Sequence, residues 1–189
     1  MEVKTDRRIA KTREAIFQAF ISLIGEKNFE SITINEIADR ANVNRGTIYF
    51  HYSDKYDLLD KCMEEYLSKM STVSTATGQD GETVDLLESS LMPIIRYFQE
   101  HHAFYLSMLS NQGIPSFRKR MLEIVTASIA THVDMEDQNQ GYSKELVTQF
   151  MASAFVGVIE WWILSEMSQP PEEISTQLWG LLKRNQVIR

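Results

Sequence analysis

The sequence contains few of the residues that cross-link a chain or break a helix. Cys62 is its one cysteine among 189 residues, so no disulfide can form within the chain, and a reducing cytoplasm is favoured. Only four prolines and eight glycines are present. From Glu82 onward, no stretch alternates apolar and polar residues at period two for long. These shortages favour helices over strands.

Segments that target a protein to a membrane are also missing. The N-terminus, MEVKTDRR, lacks the apolar core of a signal peptide. The longest apolar run, residues 150–164, is too short to span a bilayer and contains Glu160. The sequence therefore predicts a cytoplasmic protein that does not have a membrane as a partner.

An excess of positive charge is missing as well, which by itself argues against a nucleic-acid-binding protein. The net charge is -7, but it is unevenly distributed. Residues 1–55 carry nine Lys plus Arg and eight Asp plus Glu, whereas residues 56–189 carry ten and eighteen. The acidic excess therefore lies outside the N-terminal part. Five basic residues crowd the extreme N-terminus, where an arm can reach phosphates: Lys4, Arg7, Arg8, Lys11 and Arg13.

Residue patterns that catalyse reactions or bind metals are not found. His101 and His102 are adjacent, so on a helix they point about 100° apart and do not form a chelating pair. There is no phosphate-binding glycine loop, no GxSxG motif and no persuasive pair of nucleophile and base. The sequence therefore predicts no enzyme activity, no metal site and no cofactor.

The most informative segment is residues 33–55, TINEIADRANVNRGTIYFHYSDK. Thr33 followed by Glu36 is a capping box that begins one short helix. Asn42 can adopt the left-handed conformation that ends this helix, and the Asn44 side chain can accept from the first amides of a second helix. The segment therefore predicts a helix, a tight turn and a second helix.

The second helix is expected to bury one face and expose the other. At about 100° per residue, Ile48 and Tyr52 point toward the first helix. The outward face and its flanks are small, polar and aromatic: Arg45, Gly46, Thr47, Tyr49, Phe50 and His51. This pattern is typical of a recognition helix in the major groove of DNA.

These residues closely resemble the helix-turn-helix of the TetR family of bacterial transcriptional regulators over residues 9–59. The sequence departs from the family pattern at Asn42, usually glycine, at Asn44, usually serine, and at Ser53, often proline. The resemblance implies a repressor that binds a palindromic operator as a homodimer. It also implies release from double-stranded DNA by a small-molecule effector.

The resemblance and the helical geometry together indicate which residues meet DNA. Four are candidates for reading base edges: Arg45, Thr47, Phe50 and His51. Three are expected to position the duplex through its phosphates: Thr33, Tyr49 and Lys55. Asn44 caps the recognition helix, and Gly46 lets it approach closely.

The expected fold class is all-α, with an N-terminal three-helix DNA-binding domain at residues 1–55 and a larger helical bundle at 56–189 for ligand binding and dimerisation. Asp54 can cap a fourth helix running to about Met70, followed by a loop at residues 71–81. Pro93 is expected to kink a helix or lie in its first turn, and Gly113 and Pro115 mark another break. Helical spacing then predicts helices from Phe117 to Ile129, from Lys144 to Met167, and beyond Pro170 and Pro171.

The second domain supplies many large apolar side chains. Most are expected to form plain core, yet Met and aromatic residues also suit an adaptable cavity, and the resemblance implies a small-molecule pocket in this region. The candidate ligand-binding residues are Leu91, Phe98, Tyr105, Met108, Phe117, Met121, Phe155, Trp161 and Trp162.

The helix from Lys144 to Met167 is apolar nearly all the way round between Leu146 and Leu164, so something outside its own bundle must cover it. A second subunit is the simplest cover, which agrees with the homodimer that the resemblance implies. Two other functions remain open from the sequence. A helical protein-interaction module would bind no DNA sequence selectively, and a small helical enzyme would reveal itself by turnover in an assay panel.

Overall fold

The computed structural model describes residues 2–75, 91–111, 114–133, 135–136 and 139–184, and this part of the chain is helical without a strand. The predicted all-α fold class is confirmed. Phe29–Ser31 forms a 3-10 turn between the first two α-helices. The α-helices are α1 Glu2–Glu26, α2 Ile34–Ala41, α3 Arg45–His51, α4 Lys55–Thr75, α5 Met92–Glu100, α6 His102–Ser110, α7 Pro115–His132, α8 Lys144–Leu164 and α9 Pro171–Arg184.

The chain divides into two compact units. The first unit comprises Met1–Tyr66 and Ala103–Pro115, and the second comprises Leu67–His102 and Ser116–Arg189. The predicted domain boundary at residue 55 lies within the first unit, which also includes the first half of α4 and most of α6.

The core of the first unit is built from the apolar side of α1, the 3-10 turn and the inner faces of α2, α3 and α4. Phe17 and Tyr52 bring α1 against the end of α3, with ring centroids 6.0 Å apart. Cys62 is also fully buried here, and burial raises the pKa of its thiol. The fully buried side chains include Ile16, Phe17, Phe20, Phe29, Ile32, Ile37 and Ile48.

Helix α6 completes this first unit. The ring of Phe104 stacks on that of Tyr66 in α4, with centroids 3.8 Å apart and planes 10° apart. Gly25 permits the close approach of α6 to α1, since an added Cβ would lie 3.1 Å from the Ser107 Oγ. The Asn111 side-chain amide donates to the carbonyls of Ile24 and Lys27 at 3.0 and 3.1 Å. Asn111 therefore satisfies carbonyls that the end of α1 would leave unpaired.

In the second unit, α5 packs against α9, and α8 contributes much of the core. Helix α8 ends at Leu164 rather than at the predicted Met167. Glu166 and Met167 adopt left-handed conformations, with φ of 55° and 50°, and the Met167 N–H donates back to the Trp162 carbonyl at 2.9 Å. This is a helix-terminating hydrogen-bond pattern formed without glycine.

Two other boundaries differ from expectation. Helix α4 continues to Thr75, so residues 71–75 are not part of a loop. The Thr72 hydroxyl donates to the Ser68 carbonyl at 3.0 Å, so this polar residue bonds within the helix instead of breaking it. The chain also breaks between α5 and α6 at His101. The remainder of the predicted loop, and Gly113, lie outside the described residues.

The positions of the prolines agree with their predicted roles. Pro93 lies in the first turn of α5, and α7 begins at Pro115. Helix α9 likewise begins at Pro171, where the missing N–H leaves no hydrogen bond unmade. At the start of α4, the Asp54 carboxylate accepts from the N–H groups of Tyr56 and Asp57, as predicted for a cap.

We predict that Asn111→Ala lowers the free energy of unfolding by about 1 to 3 kcal/mol, because two carbonyls at the end of α1 lose their donors. Thermal and denaturant unfolding followed by circular dichroism measure this. Ser110→Ala is the matched control, since Ser110 is exposed and its hydroxyl bonds only within α6. Equal stability of the Asn111 and Ser110 variants would contradict the capping role.

Candidate nucleic-acid interface

Helix α2 is fixed at both ends by the residues predicted to cap it. The Glu36 N–H donates to the Thr33 Oγ1 at 3.3 Å, and the Thr33 N–H donates to the Glu36 carboxylate at 2.9 Å. At the other end, Asn42 is left-handed with φ of 52°. The Val43 N–H then donates to the Ala38 carbonyl at 3.0 Å. The predicted capping box and turn are confirmed.

Helix α3 starts and packs as predicted. The Asn44 side-chain oxygen accepts from the Gly46 N–H at 2.8 Å, which caps the helix. Ile48 and Tyr52 are buried and attach α3 to the core of its unit. Gly46 also has a local reason to lack a side chain, because an added Cβ would lie 3.3 Å from the Asn44 oxygen.

The opposite face of α3 is exposed. Phe50 is 78% exposed and Tyr49 is 45% exposed. The Arg45 guanidinium donates to the Tyr49 hydroxyl at 3.1 Å, and its central carbon lies 5.2 Å from the Tyr49 ring centroid. The ring of His51 meets that of Phe50 edge to face, with centroids 5.0 Å apart. The structure thus brings Arg45, Gly46, Thr47, Tyr49, Phe50 and His51 onto one short helix.

Lys55 has a different environment from the one expected of a phosphate contact. Its ammonium donates to the carbonyls of Phe29, Glu30 and Ile32 at 3.2, 2.8 and 3.3 Å. It also lies 4.8 Å from the ring centroid of Phe29, and its side chain is only 16% exposed. These contacts make Lys55 a clamp between α4 and the 3-10 turn. A phosphate contact by Lys55, as predicted, would have to compete with these three carbonyls.

Thr33 is likewise engaged within the protein. Its hydroxyl lies 2.9 Å from the Glu36 carboxylate and also accepts the Glu36 N–H. Its predicted role at a phosphate would have to share this hydroxyl with the capping box. The structure thus gives Thr33 a positioning role within the helix-turn-helix.

Lys61 is a basic residue beside α3 that the sequence did not single out. Its ammonium donates to the His51 carbonyl at the end of α3 at 3.3 Å and to the Asp57 carboxylate at 3.1 Å. A cation at this position stabilises the negative end of the helix. The sequence feature that could have identified Lys61 is its spacing of four residues from Asp57 on α4, which places the two opposite charges side by side.

Ion pairs fix the orientation of α2 on α1. Arg40 makes two hydrogen bonds to the Glu26 carboxylate, and Lys27 pairs with Glu36. Hydrogen bonds from Lys27 and then from Thr33 lower the pKa of Glu36 to about 2. Because this pKa is depressed, the interaction stabilises the fold above the ordinary carboxyl pKa and is lost as the pH falls toward 2.

The candidate ligand-binding residues are divided between the two units. Tyr105 and Met108 are buried in the first unit. Trp161 is 52% exposed, in contrast to its fully buried neighbour Trp162, because consecutive helical residues point about 100° apart. Trp161 therefore does not belong to the interior of the second unit. The candidates buried in that unit are Leu91, Phe98, Phe117, Met121, Phe155 and Trp162.

Helix α8 has a buried face and an exposed face that are both apolar. Its exposed large side chains are Leu146, Phe150, Trp161 and Leu164. Leu181 of α9 is also exposed, although it follows the buried Ile174 and Leu178 by seven and three residues. Among the described helices, α8 is the one with the length and apolar composition to cross a membrane. The buried face of α8 and its exposed row of large apolar side chains together account for the apolar composition of this helix.

Comparison with known proteins identifies related chains for both parts. A family profile described as bacterial regulatory proteins, tetR family, matches residues 16–62, and one described as transcriptional regulator C-terminal region matches residues 85–184. The uncharacterized HTH-type transcriptional regulator YxbF of Bacillus subtilis (strain 168) is 21% identical over 88% of this chain and 43% of its own. The HTH-type transcriptional repressor BepR of Brucella suis biovar 1 (strain 1330) is 30% identical over 50% of this chain and 46% of its own.

The chain thus spans less than half the length of these two relatives. A solved structure supports the fold over nearly the whole chain. The transcriptional regulator FadR of Bacillus subtilis, in complex with stearoyl-CoA, has a TM-score of 0.66 and 18% identity, covering 89% of this chain and 96% of that one. The second profile alone spans more than half of the sequence. This chain belongs to the TetR family of transcriptional regulators.

Proposed function

We propose that this regulator is a cytoplasmic repressor that binds a palindromic operator as a homodimer and is released by a mainly apolar small molecule. The observation that carries the proposal is the exposed face of α3. Its polar and aromatic side chains are presented on a helix whose inner residues, Ile48 and Tyr52, are buried. BepR, a relative named as a repressor, supports the direction of regulation.

In this proposal, α3 lies in the major groove. Arg45, Thr47, Phe50 and His51 read base edges, and Tyr49 contacts a phosphate through its hydroxyl. In the protein alone, Arg45 rests against Tyr49, so both side chains are held near the groove before DNA arrives. Lys55 and Thr33 contribute to DNA binding indirectly. Lys55 holds the 3-10 turn in place and Thr33 holds α2 in place, and both elements support α3.

A homodimer accounts for the outer face of α8. An exposed row of large apolar side chains is costly in water and marks an interaction surface. Phe150 and Trp161 lie on this row, and Ser153 and Ala154 between them are exposed and small. Small residues between large ones allow a second helix to approach closely. In a dimer with two-fold symmetry, the outer face of α8 in one chain packs against the same face of α8 in the other chain.

The ligand is proposed to bind among the buried residues of the second unit. Among its described residues, the buried polar side chains are Asn139, Thr148 and Ser175, none of which is charged. A buried charge on a ligand would lose its hydration without gaining a counter-charge. We therefore expect the ligand to be mainly apolar where it enters this core. The stearoyl-CoA bound by FadR, with its long acyl chain, supports this class of ligand.

We predict that Arg45→Ala weakens binding to the selected operator by about 1 to 3 kcal/mol and relaxes its base preference. The midpoint of thermal unfolding of the Arg45→Ala variant should equal that of the parent protein, since the Arg45 side chain is exposed. Lys55→Ala should instead lower the thermal midpoint, because three carbonyls lose a charged donor. Fluorescence anisotropy with operator and scrambled DNA, together with thermal unfolding, measures both effects. If Lys55→Ala weakened binding to all sequences equally without changing the midpoint, Lys55 would be a phosphate contact.

We predict that Phe150→Glu together with Trp161→Glu converts the protein to monomers, because pairing the two outer faces would bury unpaired charges at a cost of several kcal/mol. Sedimentation velocity measures the change, and circular dichroism checks the fold. The control is Ala127→Glu, which adds a charge at an exposed site on α7 of the same unit. A folded double variant that still sediments as a dimer would refute the assignment of this face.

We predict reciprocal coupling between ligand and operator. A ligand that weakens DNA binding a hundredfold must prefer the DNA-incompetent state by about 2.7 kcal/mol, and saturating operator must then weaken ligand binding by the same factor. Stearic acid and stearoyl-CoA are the probes, titrated with and without operator while tryptophan fluorescence is followed. Equal affinities in the two titrations would rule out induction by that probe.

A further inference from the structure

Phe50 is the most exposed of the large apolar side chains in the described part of the chain. At 78% exposure, its ring takes little part in the core, which α3 reaches through Ile48 and Tyr52. Its ring meets that of His51 edge to face, and His51 is itself only partly buried. Folding therefore does not account for a phenylalanine at this position.

The residues around Phe50 leave its ring free to meet a surface. Gly46 and Thr47 precede it by four and three residues, so they occupy the same face of α3, and both are small. Arg45 and Tyr49 are held together by their own hydrogen bond on the flank. The ring is thus the largest group projecting from the middle of the outward face. The edge-to-face contact with His51 limits the directions in which it can point.

The chemistry of a phenyl ring restricts what it can recognise on DNA. It has no hydrogen-bond donor or acceptor, so it cannot pair with a phosphate or with the polar edge of a base. In the major groove, the thymine 5-methyl group is the apolar feature of a base edge. Cytosine has only a hydrogen at the same ring position. An apolar side chain therefore distinguishes thymine from cytosine by contact with one methyl group.

We propose that Phe50 is a specificity-determining residue that selects one thymine in each half of the operator by packing against its 5-methyl group. This inference rests on the proposed function, because it requires α3 to lie in the major groove. To the proposed function it adds the identity of the base that Phe50 reads, thymine, and the methyl group that distinguishes this base from cytosine. Arg45, Thr47 and His51 then read neighbouring base pairs through polar contacts.

The test uses the full chain and an operator obtained by selection from random DNA. Each thymine of a half-site is replaced in turn by deoxyuridine, symmetrically in both halves, which removes the methyl group and leaves base pairing intact. Burial of a methyl-sized group contributes about 0.8 kcal/mol, or roughly fourfold in affinity per half-site. We expect one position at which deoxyuridine weakens binding of the dimer by about fifteenfold. Cytosine at that position should bind weakly, and 5-methylcytosine should recover part of the loss.

Variants identify the side chain that senses the methyl group. In Phe50→Ala, thymine and deoxyuridine at that position should bind equally, and Phe50→Leu should retain part of the preference. Thr47→Ser is the matched control, because Thr47 also carries a methyl group on this face. This variant should still bind less tightly when deoxyuridine replaces the thymine that is assigned to Phe50. Since Phe50 is exposed, its variants should unfold at the temperature of the parent protein.

The outcomes separate this inference from the proposed function. If the protein selects an operator but no deoxyuridine substitution weakens binding, the assignment of Phe50 is wrong and the repressor proposal stands. A penalty that persists unchanged in Phe50→Ala overturns the assignment in the same way. If the protein selects no DNA sequence at all, both the proposed function and the role of Phe50 are overturned.

Discussion

The structure depends on burying one side of a helix that is too short to be stable alone. Helix α3 has seven residues, well below the length at which an isolated helix persists in water. Its conformation is maintained by the Asn44 cap and by the burial of Ile48 and Tyr52 against α1 and α2. Because the inner residues carry this stabilisation, the outer ones are free to be chosen for binding. An exposed phenylalanine can be tolerated there for the same reason.

The support of α3 extends to residues far away in the sequence. The ring of Tyr52 lies beside Phe17 of α1, and Asn111, at the end of α6, holds the carbonyls that end α1. Helix α4 begins in the first unit and continues into the second, while α6 begins at the point where the chain returns to the first unit. The support of α3 thus includes helices that lie at two of the points where the chain passes between the units.

The parts that could be predicted from the sequence are those governed by neighbours three or four residues apart. The Thr33 and Glu36 capping box, the left-handed Asn42 and the Asn44 cap are local, and each is confirmed. The α5–α6 break was missed because no proline or glycine marks His101. The clamp at Lys55 and the place of α6 in the first unit were missed for a different reason. They depend on atoms brought together by folding, and no spacing in the sequence encodes those distances.

The distribution of charge constrains how this family member can achieve specificity. The N-terminal 55 residues are nearly balanced in charge, and several of their cations are used within the protein: Arg40 binds Glu26, Lys27 binds Glu36, and Lys55 binds carbonyls. The remainder of the chain is acidic and adds no net positive charge. Non-specific affinity, which rests on phosphate neutralisation, should therefore be low. In the proposed complex, a larger share of the binding free energy would then come from contacts between α3 and base edges, and from doubling those contacts in a dimer. A low non-specific affinity for DNA also raises the ratio of specific to non-specific binding, because competing genomic sites are occupied less often.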